Sequence, residues 1–252
     1  MRIAVLADIH GNFDALEAVI EDLERTKPDI VVNLGDCFSG PLKARETADL
    51  LLTKGWLTVC GNHDRYLVEQ SIDELPRSDR AAAEQLEAHH FDWLRALPFS
   101  AQAADGVTLF HATPTNDNRY LAERPHQGGH VLRSEGEIAE ELVGVAAPLI
   151  LCGHSHLPRL VTLPDGRNVF NPGSVGLPAY DDDLPEWHVM EAQSPHARYG
   201  IAERCRGGWR FAFHALPYDW AAAADLALAS GRTDWAHALA TGFALKPDRP
   251  DR

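Results

Sequence analysis

The chain has 252 residues, 45% of them hydrophobic, enough for one large α/β domain with a sizeable core. Its formal charge of −14, from 23 basic and 37 acidic residues, excludes a surface built to track long nucleic acid, because counterion release needs clustered Lys and Arg. No run approaches 18 apolar residues, and the first residues enter a strand directly, so a cytoplasmic protein with no membrane partner is expected.

Arg2 to Ala7 is a short apolar run followed by Asp8-Ile9-His10-Gly11-Asn12, and then a helical pattern with Leu16, Val19, Ile20 and Leu23 on one face. In an extended backbone Asp8 and His10 point the same way. The alternative for Asp8 is a cap on the next helix. Ile30 to Leu34 is a second apolar strand, closed by Gly35-Asp36. The β-α-β order implies a parallel pair with a right-handed crossover, which brings Asp8 and Asp36 to one sheet edge. Two facing carboxylates repel unless a cation lies between them. A helix over Ala44 to Leu52 and a strand from Trp56 to Cys60 then deliver Gly61-Asn62-His63-Asp64 to the same edge.

From residue 65 to about 104 the pattern changes to an Ala-rich amphipathic helix over Arg80 to Leu97, stopped by Pro98 and read as a helical insertion near the site. His89-His90 within it reads as a solvated face. Val107 to Phe110 is a strand ending in His111. Residues 115 to 133 read as a long polar loop bending at Gly128-Gly129. Arg119 or Arg124 could hold a phosphate there, with a plain solvated loop as the alternative. Ser134-Glu135-Gly136-Glu137 opens a helix as a capping box. Pro148 to Cys152 is an apolar strand that ends in Gly153-His154-Ser155-His156.

The remainder reads as strands at Arg159 to Leu163, Asn168 to Phe170, Trp187 to Glu191, Arg198 to Cys205 and Trp209 to Ala215, with a turn at Gly207-Gly208. Such hairpins predict a second, largely antiparallel sheet. Short helices over Tyr218 to Ala229 and Thr233 to Ala240 precede a frayed end from Lys246. No linker or repeat divides the chain, so 1–252 reads as a single domain. The four cysteines lack a Cys-x-x-Cys spacing and read as free thiols. Oxidation sensitivity is conceivable at Cys37, Cys60 and Cys152, which lie beside candidate site residues.

The strand-end residues Asp8, His10, Asp36, Asn62, His63, Asp64, His111, His154 and His156 offer oxygen and imidazole donors with no thiolate. That set suits Mn, Fe, Co, Ni or Zn. In this order the motifs resemble the calcineurin-like metallophosphoesterase superfamily over about residues 1 to 180. The start of the chain and Asn171-Pro172-Gly173-Ser174 resemble its small bacterial and archaeal phosphodiesterase branch. The Gly-Asp motif here continues as Cys37-Phe38-Ser39-Gly40, and the tetrapeptide ends in Asp64. Both depart from the protein phosphatase branch and make phosphoprotein substrates doubtful.

The resemblance implies an α/β fold, a two-sheet β-sandwich flanked by helices. It implies one metal held by Asp8, His10, Asp36 and His156, and a second held by Asp36, Asn62, His111 and His154. His63 would be the proton donor, oriented by Asp64, and Ser174 a phosphate contact, with Asn12 a further candidate. Two divalent ions ~3.5–4 Å apart would share a bridging water and make it the nucleophile for in-line attack. The expected activity is hydrolysis of a small phosphodiester. The alternatives are a dinucleoside polyphosphate hydrolase, a phosphomonoesterase, or a non-catalytic scaffold on the same fold. Composition sets neither the metal nor the oligomeric state.

Overall fold

In the computed structural model, which describes residues 1–246, the first strand is apolar on both faces. This is β1 (Arg2–Leu6), and both its faces are covered. Ile3 and Val5 pack into the space between two sheets. Ala4 and Leu6 pack outward on helix α1 (Phe13–Thr26), which presents Ala15, Leu16, Val19 and Leu23. A strand buried this way reads as a continuous apolar run and pairs in parallel. Its partner is β2 (Ile30–Asn33), in register Ile3↔Ile30, followed by α2 (Ala44–Lys54) and β3 (Leu57–Thr58), parallel to β2.

Three helices follow: α3 (Asn62–Glu69), α4 (Arg77–Ala83) and α5 (Ala88–Arg95). The single helix expected over 80–97 is therefore two. Glu87 is extended and caps α5, its amide donating 3.0 Å to His90 Nδ1, while His90 Nε2 lies 2.9 Å from Asp49. His90 is thus buried and structural, and only His89 of the pair is solvated. An Ala-rich pattern carries no sign of a cap made by an imidazole.

Next come β4 (Ser100–Ala104), β5 (Val107–Phe110), β6 (Glu123–His126), β7 (Gly129–Leu132), α6 (Glu135–Glu141), β8 (Leu149–Leu151), β9 (Pro158–Thr162), β10 (Asn168–Pro172), β11 (Ala179–Asp182), β12 (His188–Glu191), β13 (Ala197–Cys205) and β14 (Gly208–Leu216). Two helices, α7 (Trp220–Ala229) and α8 (Thr233–Thr241), close the described chain. The expected frayed end lies, from residue 247, outside the described residues. The polar segment 115–133 is a loop only in its first half. Its second half is the hairpin β6–β7, held by the buried Glu123 carboxylate, which accepts from Arg159 Nε at 2.9 Å.

The sheets run β14-β13-β1-β2-β3 and β4-β5-β8-β10-β9. Helices α1 and α2 pack on the outer face of the first, and α6 on that of the second through Ile138 and Leu142. The α/β two-sheet sandwich is as expected, but the allocation of strands is not. The hairpin β13–β14 extends the first sheet, with β13 antiparallel to β1, and the second sheet is mixed, since β5–β8 and β8–β10 are parallel. Residues 197–202 are buried throughout, so β13 belongs inside a sheet, where the free edge of β1 receives it. Hairpin spacing alone does not say which edge is free.

One buried network ties α1 to this added hairpin. Asp22 accepts from Tyr199 Oη and from Arg25, and His214 Nδ1 lies 3.3 Å away. Burial pushes the Asp22 carboxyl up, but the Tyr199 and Arg25 hydrogen bonds outweigh it and hold the group below its ordinary value. A depressed carboxyl stabilises the fold above the unfolded pKa of about 3.9, and that stabilisation is lost as pH falls through the folded value. Asp22→Asn is expected to cost about 1–3 kcal/mol at neutral pH and progressively less on acidification, read by urea unfolding at pH 7 and pH 3. A constant difference at both pH values would contradict this reading.

Candidate metal centre

Every parallel strand of the two sheets ends in a loop at one edge, where α/β folds gather their ligands. Asp8 and His10 follow β1, Asp36 follows β2, and Asn62 opens α3 after β3. His111 follows β5, and His154 and His156 follow β8. Among the described residues eight non-glycine residues have positive φ. Five of them are Asp8, His10, Asp36, His154 and His156, at 55°, 52°, 55°, 68° and 59°. The extended i, i+2 geometry expected for Asp8–His10 is thus replaced by left-handed backbone at both residues. Such conformations cost energy and persist where the surroundings impose them, typically at functional sites. The turns interlock: Asp8 N donates to Gly35 O and His10 N to Asp36 O, each at 3.0 Å.

The side chains converge in two groups, Asp8-His10-His156 and Asp36-His111-His154, each with donor atoms within 4.8 Å of one another. In the first, His10 Nε2 faces His156 Nε2 at 3.1 Å, and His156 Nε2 lies 3.6 Å from Asp8 Oδ1. In the second, His111 Nε2 lies 3.3 Å from Asp36 Oδ2, 3.1 Å from Asn62 Oδ1 and 3.2 Å from His154 Nδ1. Asp36 Oδ2 is also 3.9 Å from His10 Nε2, so one carboxylate oxygen reaches toward both groups.

The tautomers are set from behind. His10 Nδ1 donates to Ser39 O at 2.9 Å, His156 Nδ1 to Leu177 O at 2.6 Å and His111 Nδ1 to Leu34 O at 2.7 Å. A backbone carbonyl only accepts, so each neutral ring turns a bare Nε2 lone pair inward. Lone pairs of His10 and His156 facing each other at 3.1 Å, beside two carboxylates, repel unless a cation lies among them. The donor set therefore fits borderline divalent ions.

Electrostatics agree. Burial pushes Asp8 up to about 8 and His10 down to about 4. Burial also lowers His154 to about 3 and holds His156 well below the ordinary histidine range. For His111 burial works downward, but the Asp36 carboxylate outweighs it and raises the ring to about 10. Without cations the cluster keeps protons on His111 and Asp8, and binding of metal displaces such protons.

His63 stands beside this cluster, its ring centroid 5.6 Å from that of His10. The expected orienting partner is not Asp64. Asp64 is fully buried and accepts from the amides of Asp36, Cys37 and Gly61 at 2.8, 2.9 and 3.0 Å. As the third residue of α3 it reaches back to the residue before the helix, which turns it away from its neighbour. His63 Nδ1 instead meets the buried Asp79 of α4, at 2.8 and 3.1 Å from its two oxygens. Burial alone would lower His63, but the Asp79 and Asp36 carboxylates outweigh it and raise it to about 9 before any cation is counted. Gly61 is required for close approach, since a Cβ there would lie 2.1 Å from Asp36 Oδ1.

The four expected substrate contacts are employed elsewhere. Asn12 accepts from Ala15 N as the α1 cap and donates to Gly176 O and Tyr218 Oη. Ser174 Oγ donates to Asp8 O and accepts from Leu177 N, both at 2.8 Å. These small polar residues hold the turns that carry the cluster. Arg119 pairs with Glu141 and Arg124 with Glu137, both on α6, because a surface guanidinium takes the nearest carboxylate. Neither arginine borders the cavity of about 750 Å³ that opens over the cluster. That cavity is walled instead by residues the sequence did not single out, Tyr180, Asp181, Arg232 and Trp235 among them. Asp79 and Trp235 lie on helices whose pattern is that of packing elements, Arg232 immediately precedes one, and nothing local marks them.

The family model for calcineurin-like phosphoesterases matches residues 1–181, and the chain belongs to that family. An uncharacterized protein of Methanocaldococcus jannaschii is 26% identical over 198 residues, covering 70% of this chain and 76% of its own. Among solved structures, a metallophosphoesterase from Sphaerobacter thermophilus is 25% identical with a TM-score of 0.74, covering 96% of this chain and 99% of that one. A hypothetical protein of Pyrococcus horikoshii has the same fold, with a TM-score of 0.74 at 19% identity over 97% of this chain and 99% of that one. Family membership supports a phosphoester hydrolase. Among the described residues no helix is long and apolar enough to cross a membrane.

Proposed function

We propose that this chain hydrolyses a small phosphodiester at two divalent cations, with His63 as proton donor to the leaving group. The observation that carries the reading is the pair of inward Nε2 lone pairs of His10 and His156 at 3.1 Å, each fixed by a backbone carbonyl behind it. Asp8, His10, Asp36 and His156 would hold one cation, and Asp36, Asn62, His111 and His154 would hold the other. Asp36 is shared, since its Oδ2 reaches toward both groups. When bound, such ions polarise phosphoryl oxygens and make solvent a nucleophile at neutral pH.

The protein supplies the rest. Asp36 Oδ1 accepts from the His63 amide at 3.0 Å and couples the shared carboxylate to the start of α3. Asp79 holds the His63 Nδ1 proton, so Nε2–H is the one free to be delivered. The ring borders the cavity where a leaving oxygen would emerge. No activated Ser or Cys is required: Cys37 is buried and its thiol is pushed well above its ordinary range by burial.

Stripping the protein with a chelator is expected to abolish hydrolysis of bis-p-nitrophenyl phosphate, and adding back Mn, Zn, Fe, Co or Ni to restore it with at least one ion. Full activity in metal-free protein would overturn the proposal, as would failure of every ion to support hydrolysis.

A further inference from the structure

The lining of the cavity over the cluster has two parts of different chemistry. Its floor is the His- and Asp-rich cluster, and the wall beside it is apolar and aromatic, formed by Tyr180, Leu184, Pro185, Trp235, Ala238 and Leu245, with Tyr180 and Trp235 packed on His156 and His10 at 4.6 and 5.9 Å between ring centroids. Most of this wall comes from α8 and the segments near it, beyond residues 1–181 that the family model matches. The volume, about 750 Å³, falls in the range that encloses a drug-sized ligand. A phosphoryl group on the floor fills a small part of it, and the organic arm has the remainder. Leu184 is 75% and Leu245 41% exposed, so this wall presents bare apolar surface beside the site. Ser78 also borders the cavity, and its hydroxyl, which accepts from Arg232, can still donate to the edge of a flat ligand.

The charges on this wall are one-sided. Asp181, Asp182 and Asp234 line it, and Arg232 is the one Lys or Arg among the described lining residues. The Arg232 guanidinium is already engaged. It donates to both oxygens of Asp234, at 2.9 and 2.6 Å, and to Ser78 Oγ at 2.7 Å, and it lies 5.4 Å from the Trp235 ring centroid. An arm carrying further phosphate would meet the Asp181 and Asp182 carboxylates and no uncommitted Arg or Lys, since Arg232 and Asp234 neutralise each other, and like charges brought together disfavour binding.

Resting on the phosphodiesterase reading, we propose that this wall receives an uncharged, flat organic arm of nucleoside type and rejects arms that bear a second phosphate. The substrate is then a diester with a single phosphoryl group, and polyphosphate-bridged dinucleosides are excluded. The wall residues are specificity residues, and the cluster on the floor does the chemistry on whatever arm is admitted.

Calorimetric titration of the manganese-loaded protein tests this without turnover, with inorganic phosphate, thymidine 5′-monophosphate and thymidine 3′,5′-bisphosphate as probes. The monophosphate is expected to bind at least tenfold tighter than phosphate, and the bisphosphate at least tenfold weaker than the monophosphate. Leu184→Ala, at an exposed position, is expected to narrow the first ratio at least threefold, and Asp181→Asn the second. A monophosphate no tighter than phosphate, a bisphosphate as tight as the monophosphate, or variants that leave both ratios unmoved would overturn the proposal. Because binding is read directly, its failure is distinct from failure of the hydrolase reading, which would show as no turnover of bis-p-nitrophenyl phosphate.

Discussion

Asp36→Asn is expected to lower kcat/KM on any phosphodiester by about 10³-fold, because the Asp36 carboxylate has an oxygen facing the His10 and His111 rings of both halves of the cluster. The loss follows from a missing charge and not from a damaged fold. Asn keeps an oxygen able to accept from the His63 amide, but the change also removes the carboxylate that pairs with the His111 and His63 rings in the absence of cations. The metal-free variant is therefore expected to melt below metal-free wild type, and the gain on adding metal is the quantity compared. Wild type alone should gain stability on metal addition, since a ligand that binds only the folded state adds about 2.7 kcal/mol at a hundredfold excess over Kd. Scanning calorimetry with and without manganese, beside steady-state kinetics, separates these effects. Equal metal-dependent stabilisation of both proteins would remove Asp36 from the centre.

His63→Ala is expected to keep metal occupancy and to lose about 10²–10⁴-fold on diesters with an alkoxide leaving group, and far less when p-nitrophenolate leaves. A good leaving group needs no proton. Asp79→Asn should follow the same dependence with a smaller loss, since it disturbs the ring's tautomer and position and leaves the imidazole in place. Asp64→Asn should behave differently. It weakens three amide hydrogen bonds that close the turn under the cluster, so about 1–3 kcal/mol of stability is expected to go, with no change in leaving-group dependence. Comparing the slopes of log kcat/KM against leaving-group pKa for the three variants tests the assignment. Parallel slopes for wild type and Asp79→Asn, with a steeper one for Asp64→Asn, would restore the carboxylate that the motif suggested.

The contrast between Asp64 and Asp79 shows what could be read from the chain. Asp8, His10, Asp36, Asn62, His111, His154 and His156 were legible because each ends or closely follows an apolar strand, where a polar ligand has no packing reason to be. The strands and most helices were legible from the same apolar periodicity. Adjacency misled for Asp64: side chains next to each other at a helix start diverge, and its position three residues after Gly61 is that of a capping carboxylate. Asp79 could not be found because its partner is 16 residues away and α4 looks like any charged, Ala-rich helix. The same holds for the cavity wall. Trp235 falls within the short helical pattern over Thr233 to Ala240, yet only the packing of α8 against β11 brings it over the cluster. The hairpin β13–β14 was seen as a hairpin, but its docking on β1 depends on a free edge that no local pattern records.

The central claim is that two cations share Asp36. Anomalous diffraction at the manganese edge from crystals grown with manganese tests it most directly. Two peaks flanking Asp36 are predicted, one against Asp8, His10 and His156 and the other against Asn62, His111 and His154. A single peak, or peaks confined to the group of Asp49, His89 and His90, would contradict it.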